Sequence, residues 1–222
     1  MLYSENLYRS RLRILLILYF FSEEIDSSSE LRPEFVKVFK SEVKIQKIDF
    51  LIRYPDYLAF ELLLLVESSN PKADRIEIKE LIKGIFRDNE PDLRREEMLR
   101  FFFGAYEDID DIIAFLVSRN FIKYESKRSV DQRVFNKAYY LTKLGVDKIE
   151  NEILSNLNNV NWYKERCELI NKFFGDLTGS ELKFRQYQYK EYKNTKLNQY
   201  INGIEDQVKN KFLEIYGEEL DI

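Results

Sequence analysis

Histidine is absent from this 222-residue chain, and Cys167 is its one cysteine. Without histidine there is no imidazole base, no histidine-activated nucleophile and no histidine metal ligand. One cysteine allows neither a disulfide framework nor a cysteine-ligated zinc site, and it suits a reducing compartment. Glycine and proline are scarce, at 7 and 4 residues. That scarcity favours helices over tight turns, and the glycines are too scattered to form a phosphate-cradling loop. A strong charge of one sign is also lacking, the formal net charge being -4. Any contact with nucleic acid must therefore come from a local patch. The longest apolar run, Ile14 to Phe21, is too short to span a bilayer. Arg9, Arg11 and Arg13 lead into it, and Ser22, Glu23 and Glu24 follow without a small-residue cleavage pattern. The run reads as a buried helix, the three arginines as solvated charges beside it, and the protein as cytoplasmic.

What the chain does have is aromatic and aliphatic material, including 17 Phe and 15 Tyr, arranged around one stretch. Ile109, Ile112, Ile113, Leu116 and Val117 carry the three-four spacing of a helix face. Asn120 ends that helix. Phe121, Ile122 and Tyr124 begin an extended run, and a charged loop follows from Glu125 to Arg133. Extension resumes at Ala138 to Leu141, and Thr142 is suited to cap a further helix through Leu144, Val146 and Ile149. Helix, strand, basic loop, strand, helix is the outline of a winged helix-turn-helix, and the segment YYLTKLG is typical of how such wings end. The fold class expected is mostly α with a small β-wing: a winged helix-turn-helix core followed by a helical C-terminal extension.

Elsewhere the periodicity predicts a helix from Ser4 to Phe21 and a short one after Pro33 carrying Phe35, Val36 and Phe39. A helix with Ile45, Ile48, Leu51 and Ile52 should end near Tyr54, because Pro55 disfavours helix at the residue before it. Pro55 then opens a helix to Glu67 that is apolar nearly all round, which calls for burial on every side. Helices are also expected over Glu77 to Phe86 and Leu93 to Tyr106. Past Glu150 the chain is richer in Asn and Tyr, with helices at Trp162 to Phe174 and Gln207 to Tyr216. A boundary is placed near residue 155, between a helical winged-helix body (1–155) and a helical extension (156–222).

No arrangement of reactive groups stands out. Asp108, Asp110 and Asp111 sit where they complement the positive end of the following helix, so the chain is expected to be non-enzymatic, with no catalytic, cofactor or metal residues. Arg119, Lys123, Lys127, Arg128, Arg133 and Lys137 lie on or beside the wing and are the candidates for DNA contact, through phosphate. A charged loop is also simply what a solvated wing looks like. Base-specific reading is less suited, because the outward side of the preceding helix carries Asp110, Asp111, Ala114 and Ser118. Tyr187, Tyr189 and Tyr192 in the tail interleave with lysines and suit either a partner surface or base stacking.

The segment Lys47 to Leu58, KIDFLIRYPDYL, resembles the middle component of bacterial ABC-three-component systems, in which a similar D-F-L-x-R-Y-P-x-Y-L stretch precedes a winged-helix unit. Lamassu-like defence systems contain a small subunit of this kind. The resemblance covers roughly residues 8 to 150, and the tail lies outside it. It implies a non-enzymatic adaptor without cofactors. Its partners would be an SMC-like ABC ATPase and a separate effector subunit such as a nuclease, acting with that complex on double-stranded phage or plasmid DNA away from the membrane. Arg53, Tyr54, Pro55 and Tyr57 match the motif, and Arg53, Tyr54 and Tyr57 become partner-interface candidates beside their plainer role as a packed helix corner. The alternative is a winged-helix transcriptional regulator that binds DNA by itself.

Overall fold

A computed structural model describes residues 2–25, 34–101, 104–128, 134–157 and 160–220; for 2–6, 104, 128 and 134–136 the backbone alone is described. In chain order the elements are α1 (Leu2–Phe21), β1 (Glu23–Glu24), β2 (Phe35–Phe39), α2 (Glu42–Arg53), α3 (Pro55–Glu67), α4 (Arg75–Arg87), α5 (Glu90–Leu93), β3 (Arg100–Phe101), β4 (Gly104–Ala105), α6 (Asp110–Ser118), β5 (Ile122–Arg128), β6 (Val134–Thr142) and α7 (Lys143–Lys148). A π-helical turn (Ile149–Ile153) leads on to α8 (Leu154–Asn156), α9 (Asn161–Phe174), α10 (Gly179–Gln186), α11 (Lys190–Asn194) and α12 (Glu205–Tyr216). The protein is thus mostly helical with a small antiparallel sheet.

The chain forms two compact units that interleave in sequence. Unit 1 takes residues 1–49 and 108–180, and unit 2 takes 50–107 and 181–222. Composition alone gives a single boundary near residue 155, whereas contact divides the chain at three points.

Unit 1 is built on α1 and a four-stranded sheet of order β1-β2-β6-β5, antiparallel throughout. Ile14, Leu15, Leu16, Ile17 and Leu18 are all buried, so α1 is covered on every side over this stretch, and it packs against α6, α9 and the sheet. Arg13 is not solvated. It is 1 % exposed and its Nε donates to the Asp49 carboxylate, also buried. The apolar run beside it draws that part of the helix inward, so the charge is accommodated by pairing. Arg11 lies with its guanidinium 3.7 Å from the Phe115 ring centre.

The segment after Pro33 is a strand. Phe35 to Phe39 pairs with β6, Val38 opposite Tyr140 and Phe39 opposite Tyr139. Five residues are too few to separate a helical from an extended period, and Val and Phe side by side fit a half-buried sheet. Where α6 ends, Asn120 takes the left-handed conformation (φ 57°) and Phe121 N–H returns to the Leu116 carbonyl at 3.0 Å, as at helix ends closed by a left-handed residue.

Unit 2 is centred on α3, buried from Pro55 to Leu65 at all but two of its positions and packed by α4 and α12. Helix α4 begins at an aspartate cap: Asp74 Oδ1 accepts from the Ile76 and Glu77 N–H groups at 2.8 Å. Beyond Leu93, the helix expected as far as Tyr106 is not formed among the described residues. Instead β3 and β4 make a short antiparallel pair. The backbone of Met98 to Arg100 bonds to the distant segment Asn198 to Ile201. Among the described residues, no helix is long and apolar enough to cross a membrane.

Candidate nucleic-acid interface

The hairpin β5–β6 in unit 1 carries Lys123, Lys127, Arg128 and Lys137 of the cations singled out in the sequence. Three interactions hold its base. Thr142 Oγ1 donates toward the Asn120 carbonyl at 2.7 Å and accepts from Gly145 N–H at 3.0 Å, so one hydroxyl both closes β6 and caps α7. Thr142 N–H donates to the Phe121 carbonyl at 3.0 Å. Gly145 lies so close to that carbonyl that an added Cβ would stand 2.2 Å from its oxygen. The glycine of YYLTKLG is therefore required by the approach of α7 to the start of β5.

Along β5, Ile122 is buried and Tyr124 packs against Tyr139 with ring centres 5.4 Å apart. Lys123 and Lys127 are exposed, and so are Arg119 at the end of α6 and Lys143 at the start of α7. Among the described residues none of these four forms an ion pair. Register shifts between Glu125 and Lys127, a bulge that twists the outer half of the hairpin. Arg128 ends β5, its side chain outside the described residues, and Arg133 lies wholly outside them.

Lys137 differs from the other candidates. It is half-buried, and its ammonium pairs with Glu42, whose carboxylate also accepts from the Tyr139 hydroxyl at 3.1 Å. Burial pulls the Lys137 pKa down, but the hydrogen bond and charge of Glu42 outweigh it, so the group stays above its ordinary value. Burial and the same carboxylate push the Tyr139 phenol up. Lys137 ties β6 to α2 and is not an open cation. On α6 the exposed positions are Asp110, Asp111, Ala114, Val117, Ser118 and Arg119, acidic at the start and cationic only at the end.

The tyrosines proposed as a partner surface lie mostly inside unit 2. Tyr54 and Tyr57 are 0 % exposed, Tyr192 0 % and Tyr189 5 %. Tyr54 stacks on Phe50 with ring centres 4.5 Å apart, donates to the Ile201 carbonyl at 3.0 Å and accepts from Met98 N–H at 2.9 Å. Tyr57 donates to the Asn202 carbonyl at 3.1 Å. Arg53 reaches the carbonyls of Glu96 and Glu97 and pairs with Glu107. The R-Y-P-x-Y stretch is thus a packed corner that gathers residues 96–98 and 201–202. Tyr189 donates to buried Glu61 at 2.7 Å, Tyr192 accepts from Ala105 N–H at 2.6 Å, and Tyr187 is half-buried against Tyr192. Exposed large apolar side chains of unit 2 are others, among them Ile76, Leu93, Phe184 and Tyr200. In a polar, weakly periodic tail no sequence signal separates buried Tyr189 and Tyr192 from exposed Tyr200.

Cys167 is buried, and burial pushes its thiol well above the ordinary value, so it is not a nucleophile where it stands.

No protein-family model, curated protein or solved structure matches the chain.

Proposed function

We propose that the chain is a non-enzymatic winged-helix accessory subunit of an SMC-like ABC ATPase complex in a Lamassu-like bacterial defence system. In this reading it bridges the ATPase and an effector subunit and touches double-stranded DNA through the β5–β6 hairpin. One observation carries the reading: a cationic hairpin rooted beside a helix whose exposed side begins with carboxylates. Exposed lysines on a hairpin suit phosphate, which gives affinity and position without sequence information. Asp110 and Asp111 at the front of α6 disfavour the entry of that helix into a major groove, where a regulator would read bases. Such a balance suits a subunit held on DNA by a larger machine. The strand order, with β2 beside β6 and β6 beside β5, and the Asn120 and Thr142 junctions support the winged-helix part. The resemblance at Lys47 to Leu58 supports the partners.

Co-expression with a neighbouring coiled-coil ATPase and purification through a tag on this chain tests the proposal. A stable complex that binds duplexes of unrelated sequence with similar affinity is expected. A homodimer that leaves the ATPase behind and shifts one operator sequence would replace it with the transcriptional regulator.

A further inference from the structure

Unit 1 contains a pocket of about 570 Å³ between the end of β2, the first turn of α2 and residues 175–180, within the roughly 300–1,000 Å³ of small-ligand sites. Phe21, Val38 and Phe39 form its apolar side. Lys44 decides what chemistry it accepts. This half-buried ammonium donates to the Gly175 carbonyl at 2.6 Å, and among the described residues it forms no ion pair. An ammonium has three N–H donors, so two remain. Burial lowers the Lys44 pKa from 10.5, and the charges of Asp176 and Glu23 oppose that shift without cancelling it. Glu23 is itself engaged with Lys40 at 3.5 Å, and Asp176 is exposed. Lys40 and Lys44 share the pocket lining with Glu23 and Asp176, so the charges there balance, and it is the two remaining N–H donors of Lys44 that an anionic group would meet.

Gly179 lets the two walls close. A Cβ there would lie 2.7 Å from Lys44 N and 2.9 Å from Ser41 Oγ, so residues 178–180 lie directly against the first turn of α2. That approach sets Thr178 and Ser180 on the same pocket as Lys44.

We infer that this pocket binds a small organic anion, a carboxylate or phosphate on an apolar body, with Lys44 pairing the anionic group and Phe21, Val38 and Phe39 receiving the body. It would give the protein a ligand-responsive site separate from the hairpin, and it does not depend on DNA contact.

Titration of the ¹⁵N-labelled protein with sodium benzoate, and separately with inorganic phosphate, at constant ionic strength tests the inference. Saturable shifts of the Ser41, Lys44 and Ser180 amides are expected with at least one probe, weakened tenfold or more in Lys44→Met. Benzoate alone would identify a carboxylate site and phosphate alone a phosphate site. Shifts that stay linear in concentration with both probes, or saturation unchanged in Lys44→Met, would overturn it. Should Lys44→Met fail to fold, the saturation or linearity of the wild-type Lys44 amide decides.

Discussion

A methyl group at Gly145 would collide with the Phe121 carbonyl, a backbone atom that cannot swing aside. Gly145→Ala should therefore cost about 3 kcal/mol, the upper part of the range for overpacking, measured as a shift in the urea midpoint at unchanged slope. A second residue-scale prediction concerns Asp56. Its Oδ2 accepts from Ile204 N–H at 2.5 Å, while Oδ1 is buried without a hydrogen bond. Burial raises its pKa above 3.8, only partly opposed by the Ile204 and Tyr57 N–H groups and Arg95. The folded protein then holds this proton at pH values where the unfolded chain has released it. Stability from Asp56 is present below 3.8 and falls as pH rises through the folded value. Asn keeps an oxygen for Ile204 but does not ionise. The stability of Asp56→Asn relative to wild type should thus climb from about pH 4 and then level off; a flat difference in urea unfolding across that range would refute it.

At the scale of elements, the hairpin's root is specified locally, and its exposed Lys123 and Lys127 form no ion pair among the described residues. Thr142→Ala removes a cap and a strand-closing bond together, so a loss of about 1–2 kcal/mol is expected in chemical denaturation. Lys123→Glu with Lys127→Glu touches neither root nor core. If these two side chains contact phosphate, the double variant should lower the slope of log K against log salt by about 2, with affinity falling evenly across sequences. Unchanged binding of the purified complex would remove the hairpin from the DNA interface. Lys137→Ala belongs to another class. It breaks the pair with Glu42, so it should show in stability before it shows in binding.

For the whole molecule, the interleaving of the two units carries a consequence for dissection. Unit 1 needs α9, which packs on α1, and unit 2 needs α12, which packs on α3. A fragment ending at residue 155 lacks both helices and leaves the buried faces of α1 and α3 open to water. It should show poor amide dispersion and no cooperative unfolding, although it contains the entire hairpin. A fragment 1–155 that unfolds in one sharp transition would contradict this division.

Much of the chain was legible because its signals are local. Pro55 dictated the break between α2 and α3, Asn120 the end of α6, and Thr142 the start of α7. The all-round apolar pattern of α3 implied its burial. β2 was misread because a five-residue Val and Phe run takes its conformation from the strand it meets, and that strand is 100 residues away. The stretch after Leu93 was misread for the same reason, since Met98 to Arg100 find their backbone partners at Asn198 to Ile201. Which tyrosines are buried, that Arg13 and Lys137 are paired, and that Lys44 faces a pocket could be decided only by the tertiary structure. Each depends on atoms far apart in sequence, and no period along one segment records them. Composition by itself determined that no histidine or paired-cysteine chemistry is open to this protein; folding decided which of its charges remain available to a partner.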